Sequence, residues 1–233
     1  MPVAVLSDIH ANLEALEAVL AEADRRGATD VVCLGDVVGY GPDPEAVTAL
    51  VRARCSVVVA GNHDRAVAPG ENVEYLPRDG QEAALLHRER LSLDDLAWLE
   101  ALPLRAEAHG ATLVHAAPDD PAAWTRLETM SAVQAQFAAF TAPLCFVGHS
   151  HRPAVASDRI GVTRVRPGHR FLVDVGSVGQ PRDHDARASF ALFDPEAFTV
   201  EIVRVHYDVE RTVLKVQHAG LPMNLGTRLR RGV

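Results

Sequence analysis

Five short apolar runs, rich in β-branched residues, lead directly into clusters of Asp, Asn and His. Val3 to Leu6 is followed by Ser7-Asp8-Ile9-His10, Val31 to Leu34 by Gly35-Asp36, and Val57 to Ala60 by Gly61-Asn62-His63-Asp64. Ala111 to Val114 leads into His115, and Leu144 to Val147 into Gly148-His149-Ser150-His151. Ligands of open α/β sheets collect at the carboxyl ends of strands, so these clusters are expected to converge on one site. Each cluster alone has an ordinary reading, with Asp8 as a helix cap, Asn62 in a turn, or a lone His as a satisfied polar group. Five in the same position, three beside a Gly that lets the backbone turn sharply, make coincidence a poor account. Asp and His with few thiols suit Mn²⁺, Fe or Zn²⁺ better than a Cys-rich structural zinc site.

The segments between these runs read as helices, which together give an α/β pattern. Leu13, Leu16, Val19, Leu20 and Ala23 recur at helical spacing before Gly27. Asp43-Pro44 predicts an N-cap followed by Pro at the first helical position. Residues 65–102 are helical and loop-rich, with Ser92 to Asp95 resembling a capping box; this segment is a candidate wall of a cleft. The last third is strand-rich, with runs at Pro153 to Ala156, Phe171 to Val175, Ser189 to Phe193 and Thr199 to His206. A final helix is expected from Asp208 to Gly220, followed by a basic tail of Arg228, Arg230 and Arg231.

At 233 residues the chain has length for one to two domains, and without an internal repeat or clear linker it reads as a single domain, 1–233. Hydrophobic residues make up 48%, which excludes a disordered chain. The net charge of −8 weighs against long nucleic acid as a partner, since backbone tracking needs a basic stripe. No apolar run is long enough to span a membrane, and Pro2 is followed at once by a strand-like run where an export signal would lie. A cytoplasmic location is therefore expected. Cys33, Cys55 and Cys145 are odd in number, far apart and in apolar surroundings, and read as reduced core residues. Lys215 is the sole lysine among 23 basic residues, a ratio that codon usage explains.

The ordered blocks D-x-H, G-D, G-N-H-D, H and G-H-x-H, running from Asp8 to His151, resemble the calcineurin-like metallophosphoesterase family. Gly176-Ser177-Val178-Gly179-Gln180-Pro181-Arg182 is similar to its compact bacterial phosphodiesterase branch. The resemblance implies a four-layer α/β/β/α sandwich, two stacked mixed β-sheets flanked by helices. It also implies two divalent metal ions, Mn²⁺ favoured and Fe, Zn²⁺ or Ni²⁺ as alternatives. Asp8, His10, Asp36 and His151 would hold one, and Asp36, Asn62, His115 and His149 the other, with Asp36 bridging. Two such ions carry +4, two carboxylates −2 and a bridging hydroxide −1, leaving about +1 to attract a phosphodiester for in-line attack.

His63 corresponds to the family histidine that protonates the leaving group or binds phosphate, a role typically worth about 10²–10⁴-fold. Many members read G-D-x-x-D-R, the second Asp orienting that histidine, whereas this chain has Gly39 and Tyr40 in those places. Asp43 and Asp64 are candidate replacements, though Asp43 has a structural role as a cap. A weakly oriented acid hurts least when the leaving group is good, so a small, nucleotide-sized phosphodiester is the favoured substrate. A phosphomonoesterase, a protein phosphatase or a dinucleoside polyphosphate hydrolase is the alternative, and a non-catalytic scaffold with the same fold is a different class. Asn62, His63, Tyr40, Arg65 and Arg182 are candidate substrate contacts, with Trp124 balanced between binding and packing. The other six histidines read as structural or solvated, Asp183-His184-Asp185 as a polar turn, and a homodimer or higher homo-oligomer is the expected assembly.

Overall fold

The structure is a computed structural model describing all residues except 160 and 163. Its first sheet orders β10 (Thr199–Val205), β9 (Ala188–Asp194), β1 (Val3–Leu6), β2 (Asp30–Cys33) and β3 (Val57–Val58). The second orders β4 (Arg105–Ala108), β5 (Ala111–Val114), β6 (Leu144–Val147), β8 (Phe171–Asp174) and β7 (Ala154–Ser157). Both sheets are mixed. In the first, β1, β2 and β3 are parallel and β9 pairs antiparallel with both β1 and β10; in the second, β5, β6 and β8 are parallel between antiparallel β4 and β7.

Alternation along each strand assigns the layers. Val3 and Val5 of β1 join Val32, Leu113, Phe146, Phe171 and Val173 in a core built from both sheets. Ala4 and Leu6 face the other way, onto α1 (Leu13–Arg25) and α2 (Pro44–Arg54). The outer face of the second sheet, with Cys145, Val147 and Leu172, is covered by Phe137 and Phe140 from the chain after β5. Two mixed five-stranded sheets flanked by helices are the expected four-layer sandwich, and its central strands, buried on both faces, explain the unbroken apolar runs.

The 65–102 region carries α3 (Asn62–Val67), α4 (Arg78–Arg90) and α5 (Leu93–Glu100). Ser92 caps α5 as its sequence predicts, accepting from the Asp95 amide at 3.1 Å. A short α6 (Met130–Ala135) follows β5, and α7 (Val209–His218) and α8 (Met223–Thr227) end the chain. Three expectations need correction. Strand β4 lies in a stretch whose exposed Arg105 and Glu107 hid it. Asp43 sits at the N-cap position of α2, but its carboxylate makes no capping bond, because it pairs with Lys215 at 2.9 Å. The C-terminal arginines do not form a free tail: Arg228 to Arg231 make a 3₁₀ turn, Arg230 pairs with Glu210 and Arg228 holds the Val233 carbonyl. All three cysteines are free thiols; Cys33 and Cys145 are buried and Cys55 half-buried.

Candidate metal centre

The parallel strands of the two sheets end at the same edge of the sandwich, and the five polar clusters meet there. The loop after β1 is tied to the loop after β2 by amide bonds from Asp8 to Gly35 and from His10 to Asp36, at 3.0 and 2.9 Å. The loop after β8 closes the ring: the Ser177 hydroxyl donates to the Asp8 carbonyl at 2.8 Å. Asp8, His10, Asp36, His149 and His151 all have left-handed backbone, with φ between 49° and 64°. Such conformations cost of order 1–3 kcal/mol each in residues other than glycine and persist only where the surroundings impose them. Gly61 permits a close approach, since a β-carbon there would collide with the Asp36 carboxylate.

The donor atoms converge tightly. His151 Nε2 lies 3.2 Å from Asp8 Oδ1, and His10 Nε2 lies 3.7 Å from Asp8 Oδ1 and 3.6 Å from Asp36 Oδ2. On the other side His115 Nε2 is 3.4 Å from Asp36 Oδ2 and 3.2 Å from His149 Nδ1. Two sets of three donors, Asp8–His10–His151 and Asp36–His115–His149, are each compact enough to surround one cation. Asp36 Oδ1 accepts the His63 amide at 2.8 Å, which orients the carboxylate shared by both halves.

The unpaired atoms indicate what the site accommodates. His10, His115 and His151 each turn Nδ1 to a backbone carbonyl, those of Val38, Leu34 and Gln180, at 3.1, 2.9 and 2.6 Å. Only a protonated Nδ1 can bond a carbonyl, so in the neutral rings the Nε2 lone pairs face into the site. His10 and His151 then oppose two lone pairs at 3.2 Å, an arrangement that no hydrogen bond satisfies and a cation does. Asp8 Oδ1 and the Asn62 amide oxygen are likewise buried without hydrogen-bond partners. Each such atom costs about 1–3 kcal/mol if left unsatisfied. These residues therefore fit divalent cations, with outward carbonyl contacts of the kind that fix the tautomer of a ligating histidine.

The two buried carboxylates draw positive charge into the site. Burial opposes ionisation of both carboxyls, yet His151 and His115 hold Asp8 well below the ordinary range, and His115 and His63 do the same for Asp36. Burial also opposes charge on His115, but Asp36 raises it to about 9. Burial, with His115 nearby, pushes His149 down to about 3, and burial pushes His63 down to about 4 despite Asp36.

A cleft of about 450 Å³ opens over Asp36, Asn62, His63, His149 and His151. Residues 72 and 75–77 line one side of the cleft, and residues 122–124 and Arg126 line another. Among the candidate contacts, Tyr40 and Arg182 line the cleft, with the Arg182 guanidinium 5.6 Å over the Tyr40 ring. Trp124 lines it too, edge-on to His115 at 6.0 Å. Arg65 does not. Its guanidinium donates to the carbonyls of Glu100 and Leu102 at 2.8 and 2.9 Å, clamping α3 to the end of α5.

His63 packs 4.4 Å from the Tyr40 ring and 4.9 Å from His10, and its Nδ1 is buried with no partner. Neither candidate carboxylate reaches it. Asp43 is engaged by Lys215, and Asp64 accepts the amides of Asp36, Val37, Val38 and Gly61, making it the hub of the loops after β2 and β3. The place of a partner is filled by Gly39, whose β-carbon would sit on the imidazole. Sequence reading assigned His87 only a general structural role. Fully buried, it accepts from the Gly39 amide at 3.0 Å and donates to the Gly41 carbonyl at 2.8 Å, holding the turn that carries Tyr40. Arg126 and Tyr75 were also missed, because they lie in loops outside the motif blocks.

A family model described as the calcineurin-like phosphoesterase superfamily domain matches residues 1–197. The chain belongs to that superfamily. Membership makes it a metallophosphoesterase, a phosphoester hydrolase by family, with a dinuclear divalent centre typical of that family and Asp/His clusters suited to it. It is 38% identical over 237 residues to an uncharacterized protein of Methanocaldococcus jannaschii, MJ0912, covering 97% of this chain and 96% of that one. A crystal structure of a metallophosphoesterase from Sphaerobacter thermophilus superposes with a TM-score of 0.88 at 37% identity, covering 100% of this chain and 99% of the other. The hypothetical protein PH1004 of Pyrococcus horikoshii has the same fold, with a TM-score of 0.81 at 23% identity over 100% of this chain and 98% of its own. Among the described residues, no helix of this superfamily member is long and apolar enough to cross a membrane.

Proposed function

We propose that this superfamily member is a phosphodiesterase acting on a small, nucleotide-sized diester with two divalent cations, Mn²⁺ favoured. Asp8, His10, Asp36 and His151 would hold one cation, and Asp36, Asn62, His115 and His149 the other. Such a pair supplies an acidified water and a clamp on the phosphoryl oxygens. The chain's own residues set the rest of the chemistry. Tyr40 faces the phosphate from the side of the cleft, with the Arg182 guanidinium over its ring. Gly39 closes off Nδ1 of His63, so Nε2 is the ring nitrogen left to meet the leaving-group oxygen.

The unpartnered Nδ1 of His63 is the observation that carries the preference for a diester. A histidine backed by a carboxylate has its tautomer fixed and its protonated form stabilised. This one has neither support, and burial keeps it neutral at pH 7. It therefore serves best where the departing oxygen needs little help. The test compares the Mn²⁺-loaded enzyme on bis(p-nitrophenyl) phosphate and on phenyl phosphate, with and without His63→Ala. Wild-type kcat/KM should be at least about tenfold higher on the diester. On that activated substrate the variant should lose less than the ~10²–10⁴ that a well-placed general acid supplies. Equal efficiency on the two substrates would refute the preference.

A further inference from the structure

The cleft holds more positive charge than a single phosphodiester needs. Arg126 and Arg182 line the same cavity as Asp36, Asn62, His149 and Trp124. Among the described residues neither guanidinium has a carboxylate within ion-pair distance, whereas Arg90, Arg187, Arg204 and Arg230 each engage one. Arg182 is half-buried, and its bonds run to a neutral acceptor, the Gln180 side-chain oxygen, at 3.2 and 2.7 Å. Desolvation works against its charge, and so do the nearby Arg228 and Arg126.

A cation partly withdrawn from water, crowded by cations and paired with no acid is costly unless an anion arrives. The metal centre does not need these groups for its own balance. Two divalent ions against Asp8, Asp36 and a hydroxide leave about +1, which one diester charge cancels. Adding Arg126 and Arg182 leaves two positive charges unmatched on the same cleft.

We infer that Arg126 and Arg182 form a second anion subsite, so that the substrate is a phosphodiester carrying a second, non-scissile phosphate. The inference rests on the hydrolase reading for the scissile phosphate and adds the group beside it. Arg126 stands on the 122–126 wall and Arg182 on the loop after β8, so the second phosphate is held between two independent loops. A planar guanidinium fork suits phosphate oxygens through paired, charge-assisted hydrogen bonds, and the neighbouring Trp124 offers a face to a base or other ring.

The test uses two thymidine ligands that differ only in the second phosphate, the 5′-monophosphate and the 3′,5′-bisphosphate. Their dissociation constants are measured by calorimetry on the Mn²⁺-loaded protein. Wild type should bind the bisphosphate at least tenfold more tightly. In Arg126→Gln that ratio should fall to threefold or less, and Arg126→Lys, which keeps the charge, should restore part of it. Arg126 is exposed, and an unchanged melting curve checks that the variant folds. Equal binding of the two nucleotides by wild type, or a tenfold ratio that survives Arg126→Gln and Arg182→Gln alike, would overturn the subsite. The p-nitrophenyl 5′-esters of the same nucleotides separate this outcome from failure of the hydrolase reading. No turnover of either ester with an Arg-dependent binding ratio intact removes the hydrolase and leaves the anion site.

Discussion

Placing a single methyl group at Gly39 tests the arrangement around His63 directly. Gly39 has φ of +93°, and a β-carbon built there lies 2.8 Å from His63 Cγ and 2.9 Å from its Cβ. Gly39→Ala thus incurs two separate costs. Backbone strain in that region contributes about 1–3 kcal/mol, and forcing the extra carbon into a packed site contributes about another 1–3 kcal/mol. At the lower end of both, about 2 kcal/mol, the Tm should fall by about 4–8 °C for a domain of this size. The second cost exists only while the imidazole is present. In a His63→Ala background it should vanish, leaving the backbone term. The double-mutant cycle, measured by urea denaturation, should then show a coupling of about 1–3 kcal/mol. Activity should follow the same logic, with Gly39→Ala losing as much as His63→Ala and the double variant losing no more. Gly39→Asp should fail to build a carboxylate–histidine pair, because its β-carbon occupies the space the imidazole needs. Additivity of the two stability changes within about 0.5 kcal/mol, or a Gly39→Asp variant more active than wild type, would refute this reading.

His87 and Asp36 give two further expectations. Burial pushes His87 down to about 4, below its unfolded value near 6.5, so the unfolded chain binds the extra proton first as pH falls. Its contribution is complete above pH 6.5 and is lost on the way to pH 4, amounting to about 3 kcal/mol. His87→Gln should therefore lower the Tm at pH 7.5 and flatten its decline between pH 6.5 and 4; a parallel decline in the two proteins would exclude His87 as the source. Asp36→Asn should leave the protein folded but reduce its bound Mn²⁺ by more than the ~10–100-fold in affinity that a merely supporting group costs. Metal content measured on the dialysed variant decides this, and an unchanged stoichiometry would remove Asp36 from the centre.

How much of this site was legible in the sequence follows from the geometry of its backbone. Asp8, His10, Asp36, His115, His149 and His151 could be read because each lies within four residues of the end of a parallel strand. Strands buried on both faces announce themselves as apolar runs, so their ends are easy to find. The antiparallel edge was harder. The alternation of β4, with Arg105 and Glu107 exposed, is the pattern of a half-buried strand and was lost between the end of α5 and the apolar run of β5. Arg65 misled because adjacency to Asn62 and His63 in sequence says nothing about direction. One turn into α3, its side chain leaves the site and finds the carbonyls of Glu100 and Leu102.

The residues that escaped sequence reading share a different property: they act on backbone groups or from loops. Asp64 gathers four amides and His87 bridges Gly39 to Gly41, contacts whose partners lie between 3 and 48 positions away and follow no spacing rule. Asp64 holds the amide of Asp36, one of the site residues in left-handed backbone. Strain of that kind survives only where neighbouring hydrogen bonds over-determine the chain. The proposed ligand set therefore depends on residues that would not themselves touch a metal. Gly39 shows the same dependence in reverse. Its hydrogen in place of a side chain looks, in the sequence, like a missing carboxylate. In the fold it is the space in which His63 stands.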